Sequence, residues 1–215
     1  MIKTNITLLN YIEKLYTTGK YGLGIRKEKF SRNEVLLYKD DSLKRIYVII
    51  QGLTKCFITE ENGKDYLLEF LGKGELVGEI EFLIKEDNLS SVETLSTVEA
   101  FSIDSVLFEK LIQTDREFVN IILKELATRI FRTAKRASFQ QIYPLKYSII
   151  KIILALNLTD ERISKQDLAS YLGISIRVLN RILKELINDN LITFEKGVIK
   201  VKSQNTLENY ILSLH

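Results

Sequence analysis

The spacing of apolar residues divides the chain into a helical start, a β-rich middle and a long helical end. The first thirty residues place apolar side chains at a helical spacing, at Ile6, Leu9, Ile12 and Leu15. Across residues 30–103, short runs rich in β-branched and aromatic residues are separated by Gly, Asp and Asn. From Val106 onward the helical period returns. The pattern therefore predicts strands in the middle and helices on either side.

The β-rich middle has turns at regular intervals. Residues 35–38 and 46–50 have the composition of strands, and glycines follow several of the runs. The pair Asn62-Gly63 is a strong indication of a tight hairpin turn. Short strands spaced this regularly predict a compact β barrel or sandwich.

Residues 117–140 contain neither proline nor glycine and predict one long helix. A stripe runs along it at three- and four-residue steps, through Ile122, Leu126, Ile130, Thr133 and Ala137. Pairing with the same helix of a second copy would bury this stripe, so we expect a homodimer through helix 117–140. The alternative is that the helix packs on the β domain of its own chain. Pro144 then ends the helix and opens the next one.

The last third of the chain predicts two short helices joined by a glycine turn. Ser164, with Asp167 three residues later, resembles a capping box that starts the first helix. Gly173 permits the left-handed conformation that ends it, and Ser175 caps a second helix over residues 176–189. This arrangement is a helix-turn-helix, whose second helix enters the major groove of DNA.

The predicted second helix has one apolar side and one polar side. The apolar side consists of Leu179, Ile182, Leu183 and Leu186. On the polar side, Arg177 and Arg181 suit guanine edges and Asn180 suits an adenine edge. The amides at the start of the helix can hold a backbone phosphate. The residues predicted to contact DNA are Ser164, Gln166, Ser175, Ile176, Arg177, Asn180, Arg181, Lys184 and Lys196.

A short β hairpin is predicted after this helix. Residues 191–194 and 198–201 flank the turn Glu195-Lys196-Gly197, so the hairpin forms the wing of a winged helix. Lys196 and Lys200 are placed there for contacts with the DNA backbone. The alternative is a helical hairpin with a solvated basic face. The caps, the glycine turn and the wing together favour a sequence-specific DNA-binding transcription regulator.

Composition limits the other chemistry. Of 215 residues, 46% are hydrophobic and 27% charged, as in a protein with a sizeable core. Cys56 is the single cysteine, which excludes a disulfide within the chain and suits a reducing compartment. The sequence has no signal-peptide pattern and no apolar run long enough to span a membrane, so we expect a cytoplasmic protein without a membrane partner.

Charge is unevenly distributed along the chain. Residues 1–114 carry 15 Lys and Arg against 18 Asp and Glu, whereas residues 115–215 carry 16 Lys and Arg against 10 Asp and Glu. A basic C-terminal half suits a polyanion.

Two stretches and the winged helix resemble the Crp/Fnr family of bacterial regulators. The stretches are VIIQG at residues 48–52 and LGKGELVGE at residues 71–79, and the resemblance covers about residues 30–202. It implies an α+β fold with a cyclic-nucleotide-binding-type β-roll (residues 1–112), a central dimerisation helix (113–141) and a winged helix-turn-helix domain (142–215). It also implies a palindromic DNA site. Residues 143–145 and 175–177 further resemble the YeiL-like branch of that family.

The resemblance implies an effector pocket in the β-roll. Cyclic-nucleotide-binding members hold the ribose with a Gly-Glu pair, here Gly78-Glu79, and the cyclic phosphate with an arginine about ten residues later. This chain has no arginine between Arg45 and Arg116. A phosphate would therefore face carboxylates with no guanidinium to hold it, and we expect no tight cAMP binding. The degenerate pocket, whose effector is unknown, would comprise Gly78, Glu79, Ser90, Ser91 and Thr133.

Other sensor chemistries lack the residues they need. One cysteine cannot supply the thiolates of an iron–sulfur cluster, and the sole histidine is His215, so we predict no cofactor and no metal. Cys56 is expected to be buried and inert. Glu75, Glu79 and Glu81 are expected to form a solvated or salt-bridged rim rather than a metal or catalytic site.

Two other functions stay open. A cyclic-nucleotide-type sensor module could regulate a partner protein without reading DNA, and the absence of any salt-sensitive complex with DNA would favour it. An enzyme is the weaker alternative, because the chain shows no nucleophile motif and no glycine-rich phosphate loop. We therefore predict no enzyme. The predicted partners are double-stranded DNA and a second copy, with RNA polymerase as a further candidate.

Overall fold

The structure, a computed structural model, describes residues 4–156, 163–195 and 198–212. The chain forms two compact units, one extending through Arg129 and the other starting at Ile130. The division falls within one long helix. The predicted α+β class is confirmed, with a β-roll in the first unit and a winged helix-turn-helix in the second.

The first unit contains the β-roll and the helices that cover it. Its elements in chain order are α1 (Ile6–Thr17), β1 (Ile25–Phe30), β2 (Val35–Leu37), β3 (Arg45–Gln51), β4 (Thr54–Thr59), β5 (Asp65–Leu71), β6 (Leu76–Val77), α2 (Glu79–Ile84), β7 (Ser91–Thr94), β8 (Val98–Asp104), α3 (Ser105–Thr114) and the first part of α4 (Arg116–Ile142). The strands form two four-stranded sheets, ordered β1-β8-β3-β6 and β2-β7-β4-β5. Alternating residues of both sheets meet in one core, as in a sandwich.

The turn predicted at Asn62-Gly63 joins two paired strands. Strands β4 and β5 are antiparallel, and Thr59 lies opposite Asp65. The amide of Gly63 donates to the carbonyl of Glu60 at 2.8 Å, which closes the turn. The hairpin prediction is therefore confirmed.

The helical prediction for the first thirty residues is correct only for α1. Residues 25–30 form β1, which pairs with β8 from Ile25 opposite Ile103 to Phe30 opposite Val98. Four charged residues separate Ile25 from Phe30, so the segment has too few apolar positions to show either period. Pairing with β8, rather than local pattern, decides its structure.

Helices α1, α3 and α4 bury a second core against the sheet of β1, β8, β3 and β6. Phe118 of α4 is fully buried, with its ring 5.7 Å from that of Tyr11 and 5.3 Å from that of Phe108. Ile122 is 2% exposed in the same core, and Leu126 packs against it. The first part of the predicted stripe thus packs on its own β-roll, as the alternative had it. The large apolar residues of α4 that are exposed are Leu123, Ile130, Phe131 and Ile142.

The second unit contains the rest of α4 and six further elements of the described chain. They are α5 (Leu145–Leu156), α6 (Lys165–Leu172), α7 (Ile176–Asn188), β9 (Ile192–Glu195), β10 (Val198–Val201) and α8 (Gln204–Leu212). Strands β9 and β10 are antiparallel. Buried residues from each of these helices form the core, including Ile149, Ile153, Leu168, Leu179, Leu183 and Leu207.

Candidate nucleic-acid interface and effector pocket

The first helix of the helix-turn-helix, α6, is closed at both ends by the predicted residues. The hydroxyl oxygen of Ser164 accepts from the amide of Asp167 at 3.0 Å, and this hydroxyl donates to the Asp167 carboxylate at 2.6 Å. Gly173 ends the helix with φ +66°, where a side chain would be strained. These local bonds fix the length of α6 and so the position at which α7 begins.

The second helix, α7, begins at the predicted cap and buries the predicted side. Ser175 accepts from the amide of Val178 at 3.3 Å. All four residues of the predicted apolar side are buried, namely Leu179, Ile182, Leu183 and Leu186. Because these residues hold the helix against the unit core, the opposite side must face outward.

The outward side of α7 carries the residues predicted to read bases. Arg177, Asn180 and Arg181 are exposed and lie within the first two turns. Among the described residues, no carboxylate forms an ion pair with Arg177 or Arg181, so their donors are available to a ligand. All the predicted DNA contacts that the structure describes are exposed, namely Ser164, Gln166, Ser175, Ile176, Arg177, Asn180, Arg181 and Lys184. Their contact with DNA stays a prediction.

The predicted wing follows α7. Strand β9 pairs with β10 from Ile192 opposite Val201 to Glu195 opposite Val198. Lys200 is exposed on β10. Lys196, predicted to contact the DNA backbone, lies outside the described residues.

The end of α4 braces the helix-turn-helix through Tyr171 of α6. The guanidinium of Arg136 lies 4.8 Å from the centroid of the Tyr171 ring, and the amide of Gln140 donates to the Tyr171 carbonyl at 3.4 Å. A cation over an aromatic face is favourable. The sequence analysis did not identify either contact, because nothing in the spacing links residues so far apart.

In the β-roll, Gly78 is required where it stands. It precedes α2 with φ +90°, and a Cβ atom there would lie 2.8 Å from Cδ1 of Leu43. The positive φ favours glycine, whereas the Leu43 methyl group could shift to make room for a side chain. As a result, Glu79 begins α2 inside the β-roll rather than at its surface, with only 1% of the residue exposed.

Glu79 is paired with Arg129 of helix α4. One terminal nitrogen of Arg129 bonds Oε1 of Glu79, and the other donates to the carbonyl of Leu76 at 3.0 Å. Two further carboxylates, Glu69 and Glu75, lie within 3.8 and 3.9 Å of the guanidinium. We call Arg129 with these three carboxylates the Arg129 cluster. It supplies a guanidinium that the sequence analysis missed, because Arg129 lies 50 residues after Glu79 rather than about ten.

Carboxylates outnumber the guanidinium at this buried position. Glu75 and Glu79 are each 1% exposed, so the expected solvated rim is wrong for both and only the salt-bridged reading is confirmed. Burial raises the pKa of Glu79 from its ordinary value of 4.5 to about 7, although Arg129 acts in the opposite direction. Desolvation disfavours the charged form of a carboxyl group, and Arg129 offsets only part of that cost.

The other predicted pocket residues are separately engaged. The hydroxyl of buried Ser90 lies 3.0 Å from Sγ of Cys56, and Ser91 accepts from the amide of Lys39 at 3.0 Å. Thr133 is exposed and belongs to the second unit. Cys56 is partly rather than fully buried, so the expectation of a buried residue is only partly met. Desolvation nevertheless raises the pKa of its thiol to about 11, which supports the expected inert role.

Comparison with known proteins places both units in described families. Residues 27–115 match the cyclic nucleotide-binding domain, and residues 151–210 match the Crp-like helix-turn-helix domain. The cAMP-activated global transcriptional regulator CRP of Pasteurella multocida is 25% identical, over 80% of this chain and 88% of that protein. The chain belongs to the Crp/Fnr family of DNA-binding transcription regulators.

The names of some other relatives of this Crp/Fnr regulator do not refer to cAMP. The global nitrogen regulator of Synechococcus elongatus is 22% identical over 94% of this chain and 95% of that protein. Among solved structures, the c-di-GMP responsive regulator CLP of Xanthomonas campestris has a TM-score of 0.77 at 21% identity, covering 88% of this chain and all of that one. TTHA1359 of Thermus thermophilus, a CRP/FNR regulator, has the same TM-score at 17% identity and the same coverage. At these identities the structural likeness concerns the fold.

The described residues contain neither a membrane-spanning helix nor a cluster of metal-binding side chains. No helix there combines the length and the apolar character needed to cross a membrane. In the same residues, no group of three or more His, Cys, Asp or Glu side chains could hold a metal ion.

Proposed function

We propose that this Crp/Fnr regulator is a homodimer that reads a palindromic DNA site with α7 and does not respond to cAMP. The observation that carries the proposal is the exposed side of α7, where Arg177, Asn180 and Arg181 project beside a capped helix start. These side chains match the donor and acceptor patterns of guanine and adenine in the major groove. As a transcription regulator it would act on RNA polymerase, directly or by occupying a promoter.

DNA reading is tested by selecting bound sequences from a random duplex pool with the full chain. The expected site has two half-sites related by two-fold symmetry, spaced by one helical turn or a multiple of it. Arg177→Ala and Arg181→Ala should each cost about 1–3 kcal/mol of affinity for the selected site. Lys196→Ala should instead weaken all sequences alike and reduce the salt dependence by about one counterion.

The two arginine variants also provide the refutation. If both bind the selected site as tightly as the wild type, the base-reading side of α7 has been assigned wrongly. If no duplex forms a salt-sensitive complex with the wild type, the chain is a sensor module that does not read DNA.

The homodimer is supported by the exposed apolar residues of α4. Ile130 is 71% exposed and Phe131 69%, and Leu123 lies two helical turns before Ile130. A second copy of α4 would cover this face. Light scattering at micromolar concentration should give a dimer mass for the wild type and a monomer mass for Ile130→Glu. Lys135→Glu, a charge change on the same helix, should leave the dimer intact, and a monomeric wild type would reject the proposal.

The lack of a cAMP response is supported by the composition of the Arg129 cluster. The guanidinium of Arg129 is already shared by Glu69, Glu75 and Glu79. A cyclic phosphate that bound this arginine would have to displace these carboxylates. It would then lie next to their negative charges, and the segment after Glu79 offers no second guanidinium to offset the repulsion. Isothermal titration should therefore detect no micromolar binding of cAMP to the full chain, and micromolar affinity would contradict the proposal.

A further inference from the structure

A small cleft lies between the recognition helix α7 and the wing. Its volume is about 140 Å³, and it is bounded by α7, strands β9 and β10 and the first residue of α6. The apolar lining residues are Leu183, Ile187, Ile192, Phe194 and Ile199, and the polar ones are Lys165, Asn180 and Lys184. The cleft lies within the second unit and is separate from the Arg129 cluster of the β-roll.

The apolar wall of the cleft is only partly covered by the protein. Phe194 is 41% exposed and Ile187 is 40% exposed, although Leu183 and Ile192 beneath them are buried. Single exposed apolar residues are ordinary on protein surfaces. Here two of them share a concave surface with a buried apolar floor, which is the usual form of a small-molecule site.

The polar part of the cleft is cationic. Nζ of Lys165 lies 3.8 Å from the centroid of the Phe194 ring, so this ammonium group is held against the cleft wall. Lys184 is exposed on α7. No aspartate or glutamate is among the described lining residues, and no carboxylate of the described chain forms an ion pair with either lysine. The electrostatics therefore suit an anion next to an apolar group.

We propose that this cleft binds a small organic monocarboxylate whose apolar part is a single ring or a short hydrocarbon chain. The carboxylate pairs with Lys165 and Lys184, and Asn180 can donate a hydrogen bond to it. The apolar part lies against Ile187 and Ile199. A cavity of about 150 Å³ lined by such residues holds a benzene-sized group in another protein, whereas drug-sized ligands need roughly 300 Å³ or more.

Binding in the cleft would have a consequence for DNA. Asn180 and Lys184 line the cleft and also belong to the outward side of α7, so a bound carboxylate would occupy donors needed at the duplex. The monocarboxylate is therefore expected to release DNA, a step that rests on the proposed function. The binding itself does not rest on it.

The binding is tested on the full chain without DNA. Benzoate and a series of straight-chain carboxylates from butyrate to decanoate are titrated by calorimetry or by ligand-observed NMR. Affinity should rise about fourfold per added methylene, the equivalent of burying one CH₂ group, and stop rising once the cleft is full. Benzamide, which has the ring but not the charge, should bind at least tenfold more weakly than benzoate.

Variants locate the site. Lys165→Gln and Phe194→Ala should each weaken benzoate binding at least fivefold, whereas Lys151→Gln, on the exposed side of α5, should leave it unchanged. Lys165 lies at the surface end of α6, so its variant remains informative if Phe194→Ala fails to fold. Equal binding by wild type and Lys165→Gln, or no binding of any carboxylate by folded protein, would overturn the proposal.

A DNA competition experiment separates this proposal from the function on which its last step rests. Benzoate should release the selected duplex from the wild type, and Lys165→Gln should need at least fivefold more of it. Benzoate binding without release would overturn the regulatory step. Benzoate binding by a chain that binds no DNA would overturn the proposed function and leave the cleft assignment supported.

Discussion

Replacing Glu79 with glutamine separates the cost of burying its charge from the benefit of pairing it with Arg129. Glutamine has nearly the shape of protonated glutamic acid but cannot ionise. The pKa of Glu79 is raised to about 7 in the folded protein, whereas its ordinary value, taken for the unfolded chain, is 4.5. Between these two pH values the folded state keeps a proton that the unfolded state has released. Stability from this group is therefore complete below pH 4.5 and is lost as the pH rises through 7.

The size of the effect follows from the two pKa values. Each pKa unit corresponds to 1.36 kcal/mol, so the interval from 4.5 to about 7 represents on the order of 3 kcal/mol of unfolding free energy. Between pH 4.5 and pH 8 the wild type should lose about this amount relative to Glu79→Gln, which has no charge to bury. The variant should therefore be close to the wild type at pH 4.5 and more stable at pH 8.

The measurement is urea denaturation followed by circular dichroism at several pH values between 4.5 and 8. Taking the difference between variant and wild type removes the contribution of groups that titrate alike in both. Glu86→Gln, an exposed carboxylate shortly after α2, is the control and should give a flat difference. If Glu79→Gln is instead less stable at pH 8, the pair with Arg129 outweighs desolvation and the reasoning is refuted.

Three further outcomes are expected. Phe118→Ala should cost about 3–5 kcal/mol of unfolding free energy, because Phe118 is fully buried between the Tyr11 and Phe108 rings; a loss below 1 kcal/mol in urea denaturation would contradict that packing. Ser164→Ala should destabilise the winged helix by about 1 kcal/mol through loss of the cap on α6, with Ser170→Ala as the control. The pKa of Cys56 is about 11 rather than 9.0, so its thiol should react with a maleimide at pH 8 about a hundredfold more slowly than a free cysteine. Labelling of the folded protein as fast as that of the urea-unfolded chain would exclude a buried thiol.

The helix-turn-helix could be predicted from sequence because its determinants are local. Ser164, Gly173 and Ser175 act within three or four residues of their positions, and the apolar spacing of α7 depends only on its own turns. A pattern of this kind survives whatever the rest of the chain does. The wing is local in the same sense, since a hairpin needs only two neighbouring runs and a turn.

The Arg129 cluster could not be predicted in this way. Fifty residues separate Arg129 from Glu79, and the pairing depends on α4 crossing the β-roll at one particular turn. The charge pattern of α4 alone gives no reason to distinguish Arg129 from Arg132 or Arg136. Likewise, the strand at residues 25–30 exists because β8 is available to pair with it, which is a non-local fact.

The uneven covering of α4 has a consequence for how this single helix opens. Its beginning is held by Phe118 and Ile122, which belong to a core that forms at any protein concentration. Beyond Arg129 the helix presents Ile130 and Phe131 to solvent. The backbone amides of these turns are protected from hydrogen exchange only to the extent that another surface covers this part of the helix. If the proposed homodimer covers this face, one continuous α-helix should show slow amide exchange that is independent of dilution in its first turns. In its later turns, amide exchange should become faster as the sample is diluted.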